Sequence, residues 1–172
     1  VARLKLVKTQ IARKLPVRAP DSHKGDNGRV VVVGGSERFV GAPALTALAA
    51  LKSGADLAIV VAPARVAWAI NTISPDLITV KLPTEWLTKS SLRAVLAEIE
   101  KADAVVVGPG LSDLAPVREA VRYLLKKLAD ARVVIDADAL KAVPRIPGEK
   151  EWVLTPHAGE FRQLSGYQLP EE

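Results

Sequence analysis

The 172-residue chain contains no cysteine and no methionine, and only 4% of its residues are aromatic. Without cysteine there is no disulfide, no thiolate nucleophile and no Cys-ligated zinc. The joint absence of Cys and Met points toward a thermophilic source, because both residues are labile when hot. With so few aromatics, the 49% hydrophobic content is built mainly from Ala, Val, Leu and Ile. That mix suits a parallel sheet covered by helices better than an aromatic-rich antiparallel sandwich. No apolar run approaches the roughly 18–20 residues of a membrane span. The charged N-terminus leads into neither an uninterrupted apolar region nor a small-residue cleavage site, so no signal peptide is read. A soluble, cytoplasmic protein is expected, long enough for one domain with a real core.

The formal net charge of +5 suggests nucleic acid until its distribution is examined. Arg3, Lys5, Lys8, Arg13, Lys14 and Arg18 fall within residues 1–20, which hold no acid, and their removal leaves 18 basic against 19 acidic residues. The charge therefore belongs to a basic arm or linker (1–20), and the body (21–172) is close to neutral. Leu4, Val7, Ile11 and Leu15 share one helical face of the arm, which reads as a solvated amphipathic helix or linker. Neither a nucleic-acid nor a membrane partner is expected.

Beyond the arm one unit repeats: a short β-branched run, a Gly- or Pro-bearing turn, then a helical stretch. Strands are expected at Val30–Val33, Leu57–Val61, Leu77–Lys81, Ala104–Val107, Arg132–Asp136 and Trp152–Thr155, mostly as continuous apolar runs buried on both faces. Ala42–Ser53 reads as a narrow Ala-rich helix. Leu92, Val95, Leu96 and Ile99 recur at helical spacing, as do Val117, Val121, Leu124, Leu125 and Leu128, with Pro116 suited to a first helical turn. Such alternation implies right-handed βαβ units and a three-layer α/β/α sandwich with a mainly parallel sheet.

The unusual residues all follow strands. Gly34-Gly35-Ser36 follows the first, Gly108-Pro109-Gly110 the fourth, Asp136-Ala137-Asp138 closes the fifth, and Thr155-Pro156-His157-Ala158-Gly159-Glu160 follows the sixth. Carboxyl ends of parallel strands share one edge of the sheet, where ligands bind. Gly34, Gly35 and Ser36 are either an anion loop with free N–H groups ahead of a helix or a tight turn needing positive φ. The Gly108–Gly110 turn admits a flat ligand close to the backbone, or serves turn geometry alone. Asp136 and Asp138 could bind hydrated Mg²⁺ or fix polar ligand groups, or Asp136 could cap the next helix. His157 is expected exposed in the cleft, and Glu160 is expected to serve the helix start as a capping-box partner. His23-Lys24-Gly25-Asp26-Asn27-Gly28 precedes the first strand and reads as a turn feeding it. No Ser-His-Asp set, metal-binding His pair or glycosidase-like carboxylate pair is visible, and no metal ligand is assigned.

Asp21-Ser22-His23-Lys24-Gly25-Asp26-Asn27-Gly28-Arg29, Val30–Ser36 and Gly41-Ala42-Pro43 together resemble the opening of the NAD(P)H-hydrate dehydratase domain. Gly108-Pro109-Gly110-Leu111, Asp136-Ala137-Asp138-Ala139-Leu140 and Thr155–Phe161 are similar to its later motifs, in the same order. The resemblance covers roughly residues 21–166. It implies a ribokinase-like fold and nucleotide-dependent repair of the S-epimers of hydrated NADH and NADPH. ADP or ATP is the implied co-substrate, Mg²⁺ participates, and members commonly form homo-oligomers, with a fused or separate epimerase as partner. By position, Ala42, Gly110 and His157 should contact the hydrated dinucleotide, with Gly108, Asp138 and Glu160 as neighbours.

Family members continue with a Lys-Gly strand and turn and a Gly-rich loop ending in Gly-Asp, which hold the adenine nucleotide and supply the catalytic Asp. Those motifs would lie beyond Glu172. Residues 21–172 are therefore expected to be the N-terminal portion of the domain, incomplete at the C-terminus and unable to turn over alone. The rivals are a small-molecule kinase of the same superfamily, of the hydroxyethylthiazole or hydroxymethylpyrimidine type, and a catalytically silent nucleotide-binding module.

Overall fold

The computed structural model describes residues 17–143 and 151–167. The apolar face expected at Leu4, Val7, Ile11 and Leu15 lies outside them.

Six strands form one all-parallel sheet: β1 Arg29–Val33, β2 Leu57–Pro63, β3 Ile78–Leu82, β4 Ala104–Val107, β5 Val133–Ile135 and β6 Trp152–Leu154. Their order is β3-β2-β1-β4-β5-β6. The chain winds outward from β1 to one edge, then returns to its other side at β4. The β1/β4 boundary is thus the topological switch point, where the loops diverge and leave a crevice.

Five α-helices lie among the described residues: α1 Gly41–Lys52, α2 Ala64–Ile73, α3 Leu92–Ile99, α4 Ala115–Lys127 and α5 Ala158–Ser165. Successive strand side chains face opposite ways, so each valine run feeds two cores. Val31 and Val33 join Leu92, Val95, Val117, Val121, Leu124 and Leu125 on the α3/α4 side. Val32 joins Ala44, Ala47, Val66, Ala67 and Ile70 under α1 and α2. This is the three-layer arrangement expected. The alanines of α1 keep that helix close to β1, and Pro116 occupies the first turn of α4.

The structure departs from the sequence expectation in two places. The α2 helix carries no sequence signal at its start, because it begins directly after Pro63 with no capping side chain and runs for only ten residues. The segment after β5 is a 3₁₀ helix, Ala137–Ala142, and Asp136 at its start makes no side-chain cap. Strand ends also shift by a residue or two. Leu77, expected in β3, instead lies in the preceding turn, its N–H bonded to Ser74.

The His23–Gly28 loop lies at the amino edge of the sheet, as its place before β1 dictates. It is organised by a residue about thirty positions away. Asp56, just before β2, accepts from Gly25 N (3.0 Å), Asn27 N (3.0 Å) and Asn27 Nδ2 (3.1 Å), and its other oxygen pairs with Arg18.

Candidate functional site

The carboxyl edge gathers the loops after β1, β4, β5 and β6. Gly35 N donates to Pro109 O (2.9 Å) and Gly108 N to Val33 O (3.0 Å), so the loops flanking the switch point are bonded to each other. A Cβ on Gly34 would lie 2.3 Å from Pro109 O, and one on Gly110 would lie 2.5 Å from Phe39 O. Gly108 is tighter still, with Asp136 O at 1.8 Å from such a Cβ.

Two of the three anion-loop candidates have their amides engaged within the protein. Gly34 N is taken by Val61 O and Gly35 N by Pro109 O, so neither N–H is free. Gly35 has φ +89, as the tight-turn alternative requires. At Gly108 and Gly110 the missing side chains make room for Asp136 O and Phe39 O.

Free donors instead sit one turn later. The first turn of α1 contains Gly41, Ala42 and Pro43, with no capping side chain on Val40 and no acid. Its amide groups have no intrahelical acceptor and lie at the positive end of the helix dipole. Pro43 Cδ would be 3.2 Å from a Cβ on Gly110, which places this helix start against the Gly108–Gly110 turn. An uncapped helix N-terminus at a switch point is suited to phosphate. The Ala42 N–H lies in this first turn, and Gly110 packs directly beside it against Phe39 and Pro43.

His157 stands three strands away, after β6. Its Nδ1 accepts from Gly159 N (3.0 Å) and Glu160 N (3.4 Å), while Glu160 Oε2 accepts from His157 N (2.9 Å). This reciprocal capping box starts α5. Because Nδ1 is an acceptor, the neutral ring carries its proton on Nε2. Nε2 lies 3.4 Å from Glu160 Oε1, and the side chain is 73% exposed. The histidine is thus both a cap and an oriented donor. Glu160 is the capping partner expected.

The two duties separate by substitution. Asn is a good N-cap but lacks the outer ring nitrogen. His157→Asn is expected to melt in urea within about 0.5 kcal/mol of wild type, and His157→Ala to lose about 1 kcal/mol. An Asn variant that loses as much stability as the Ala variant would show that the ring itself, and not a capping acceptor, starts α5.

Asp136 and Asp138 each have one carboxylate oxygen tied within the protein. Asp136 Oδ1 accepts from Thr155 Oγ1 at 2.7 Å, tying β5 to β6. Asp138 Oδ1 accepts from Lys141 Nζ at 2.9 Å. Among the described residues no group of three or more His, Asp or Glu is placed to hold a metal.

Several features of this edge were not legible in the sequence. Ser36 Oγ, Thr84 Oγ1 and Ser112 Oγ are buried without a hydrogen-bond partner, and they follow β1, β3 and β4. Unpaired buried hydroxyls are rare and costly. Ala137 has φ +50, the one non-glycine residue at positive φ among those described. Lys141 also reaches Asp113 Oδ2 (2.9 Å), and Arg118 Nη1 reaches Asp113 Oδ1 (2.6 Å). The hydrogen bond from Lys141, then that from Arg118, holds the Asp113 carboxyl below its usual range. The bonds to Asp138 and Asp113 raise Lys141 above its own. Only the Asp138/Lys141 spacing of three could have been read beforehand.

An open parallel sheet with this strand order, helices on both faces and its glycine turns meeting at one edge defines a ribokinase-like α/β protein. A ribokinase-like superfamily protein from Enterococcus faecalis superposes with a TM-score of 0.80 at 25% identity, over 94% of this chain and 56% of that one. The ADP/ATP-dependent NAD(P)H-hydrate dehydratase of Bacillus subtilis, co-crystallised with ATP and Mg²⁺, gives 0.72 at 28% identity over 94% and 56%. In sequence, the family described as NAD(P)H-hydrate dehydratase matches residues 30–171. The chain belongs to that family. The bifunctional NAD(P)H-hydrate repair enzyme of Pyrobaculum aerophilum is 45% identical over 90% of this chain and 31% of its own length. The ADP-dependent (S)-NAD(P)H-hydrate dehydratase of Nitrosopumilus maritimus is 36% identical over 99% and 60%. The chain thus spans less than two thirds of these relatives. No helix among the described residues is long and apolar enough to cross a membrane.

Proposed function

We propose that this chain forms the dinucleotide-receiving part of an NAD(P)H-hydrate dehydratase, acting on the S-hydrates of NADH or NADPH with ADP or ATP as phosphate donor and Mg²⁺ bound with the nucleotide. The observation that carries the reading is the uncapped first turn of α1 at the switch point, facing the Gly108–Gly110 turn, with the oriented donor His157 on the same edge. The N–H groups at Gly41 and Ala42 suit the pyrophosphate. His157 Nε2, about 14 Å along the edge at three strand spacings, suits a polar group farther along an extended dinucleotide.

The chemistry is phosphorylation of the hydrate hydroxyl, followed by loss of phosphate and the neighbouring proton to restore the ring double bond. The hydroxyl alone is a poor leaving group. The residues of this edge contribute binding and orientation, which lower the barrier by positioning. The cytoplasm as location, a homo-oligomeric state and a fused or separate epimerase partner complete the proposal; two-activity relatives such as the P. aerophilum enzyme support the last.

The test has two parts. Calorimetric titration of S-NADHX into the 172-residue chain should show binding, and recovery of NADH absorbance in the presence of Mg²⁺ reports turnover. The full gene product should recover absorbance with ADP or ATP. Transfer of phosphate to a stable product would make the protein a small-molecule kinase, and a folded chain that binds no hydrate would sink the reading.

A further inference from the structure

The dehydratase reading leaves one built structure on the carboxyl edge without a task. Arg118 on α4, Asp113 in the loop after β4, and Lys141 and Asp138 in the 3₁₀ segment after β5 form a continuous chain of ion pairs. Asp113 has both carboxylate oxygens engaged: Oδ1 by Arg118 and Oδ2 by Lys141. Asp138 has only Oδ1 engaged, by Lys141. The set is electrically balanced, so it adds no net field to the cleft. It ends in one carboxylate oxygen, Asp138 Oδ2, that accepts no hydrogen bond from the described residues.

A second observation comes from the backbone. Ala137, immediately before Asp138, is held at φ +50. A left-handed alanine costs roughly 1–2 kcal/mol and persists only where its surroundings enforce it. Here Gly108 makes that possible, since its missing side chain leaves room for Asp136 O and Ala139 Cβ. The strained residue sits between the tie to Thr155 and the clamp of Lys141.

The geometry points to Lys141 as a positioning residue that holds Asp138 so that its free oxygen accepts a hydroxyl or N–H group of the hydrated dinucleotide. This rests on the dehydratase reading. A carboxylate only accepts, so it repels phosphate and selects the uncharged parts of the ligand: a ribose diol, the carboxamide or the hydrate hydroxyl. The cleft is then polar along its length. Phosphate belongs over β1, at the start of α1, and the sugar or ring over β5. Lys141 also couples the two loops, because the same ammonium grips Asp113 after β4.

The test is calorimetric titration of S-NADHX into wild type, Lys141→Met, Lys141→Arg, Asp113→Asn and Asp138→Asn, with melting temperature recorded for each. Lys141→Met and Asp138→Asn should weaken binding on the order of tenfold, as for loss of one charge-assisted hydrogen bond in a ligand site. Arg can also bridge two carboxylates, so Lys141→Arg should stay within about threefold of wild type. Asp113→Asn cuts the far end of the clamp without touching Asp138, and should give a smaller loss in the same direction. Wild-type affinity in a folded Lys141→Met variant overturns the assignment. If that variant does not fold, wild-type affinity in Asp113→Asn overturns it instead. Failure of wild type itself to bind the hydrate overturns the dehydratase reading, and the aim of Asp138 falls with it.

Discussion

Gly108→Ala is expected to destabilise the chain by about 4 kcal/mol, enough to leave a marginally stable domain largely unfolded at ordinary temperatures. Two costs add. The residue has φ +127, which an L side chain rarely adopts, and the new methyl would lie 1.8 Å from Asp136 O and 2.9 Å from Ala139 Cβ. Backbone strain of this kind costs roughly 1–2 kcal/mol, and forcing atoms into a packed site costs about 1–3 kcal/mol more. Gly54 provides the control, since it has φ +111 but a methyl there would meet nothing within 4 Å. Gly54→Ala should therefore show the backbone cost alone. The difference between the two urea melts measures how closely the turn after β4 is packed onto the end of β5. Equal losses would show that the close approach is relieved at little cost, and that the ends of β4 and β5 are packed more loosely than Gly108 suggests.

That contact also marks the boundary of what could be read from residues alone. The strands were legible because Val30–Val33, Leu57–Val61 and Ala104–Val107 are continuous apolar runs, and a parallel sheet buried on both faces demands such runs. The shared edge was legible from topology, since carboxyl ends of parallel strands coincide wherever the strands lie in the sheet. What a glycine is for was not legible. Gly34, Gly35 and Gly108 could have exposed their backbone to a ligand or to a neighbouring loop, and only the register between loops decides. In the fold, Val61 O and Pro109 O claim the first two amides, so the proposed phosphate contact falls at the start of α1 instead. The helix start itself was visible as Gly41-Ala42-Pro43, but the absence of a cap gains meaning only beside Gly110. Pairings such as Lys141–Asp113 and Thr155–Asp136 join separate strand–helix units and leave no local pattern.

Asp56→Ala is expected to cost about 3 kcal/mol, although Asp56 occurs in none of the motifs that carry the family resemblance. The His23–Gly28 loop reads as a turn, and Gly25 and Gly28 do sit at φ +109 and +107 with open space around them. Turn residues alone leave the Gly25 and Asn27 amides without acceptors, and Asp56 supplies one oxygen to both as well as to Asn27 Nδ2. Its side chain is only 9% exposed, so water replaces the carboxylate poorly when it is removed. Hydrogen bonds to a charged acceptor are worth about 1.5–3 kcal/mol each, less whatever water restores to the partly buried donors. Asp56→Asn keeps one acceptor and loses the charge, so roughly half the cost is expected from it. Denaturant melts of both variants decide the matter, and a loss under about 1 kcal/mol for the alanine variant would mean the loop holds itself. The loop feeds β1 from the amino edge, about 16 Å of strand from the Gly34 turn. On the proposed dehydratase reading, hydrate affinity measured well below the melting temperature should therefore match wild type. A variant that stays folded yet fails to bind would instead assign the His-Lys-Gly motif a part in the site.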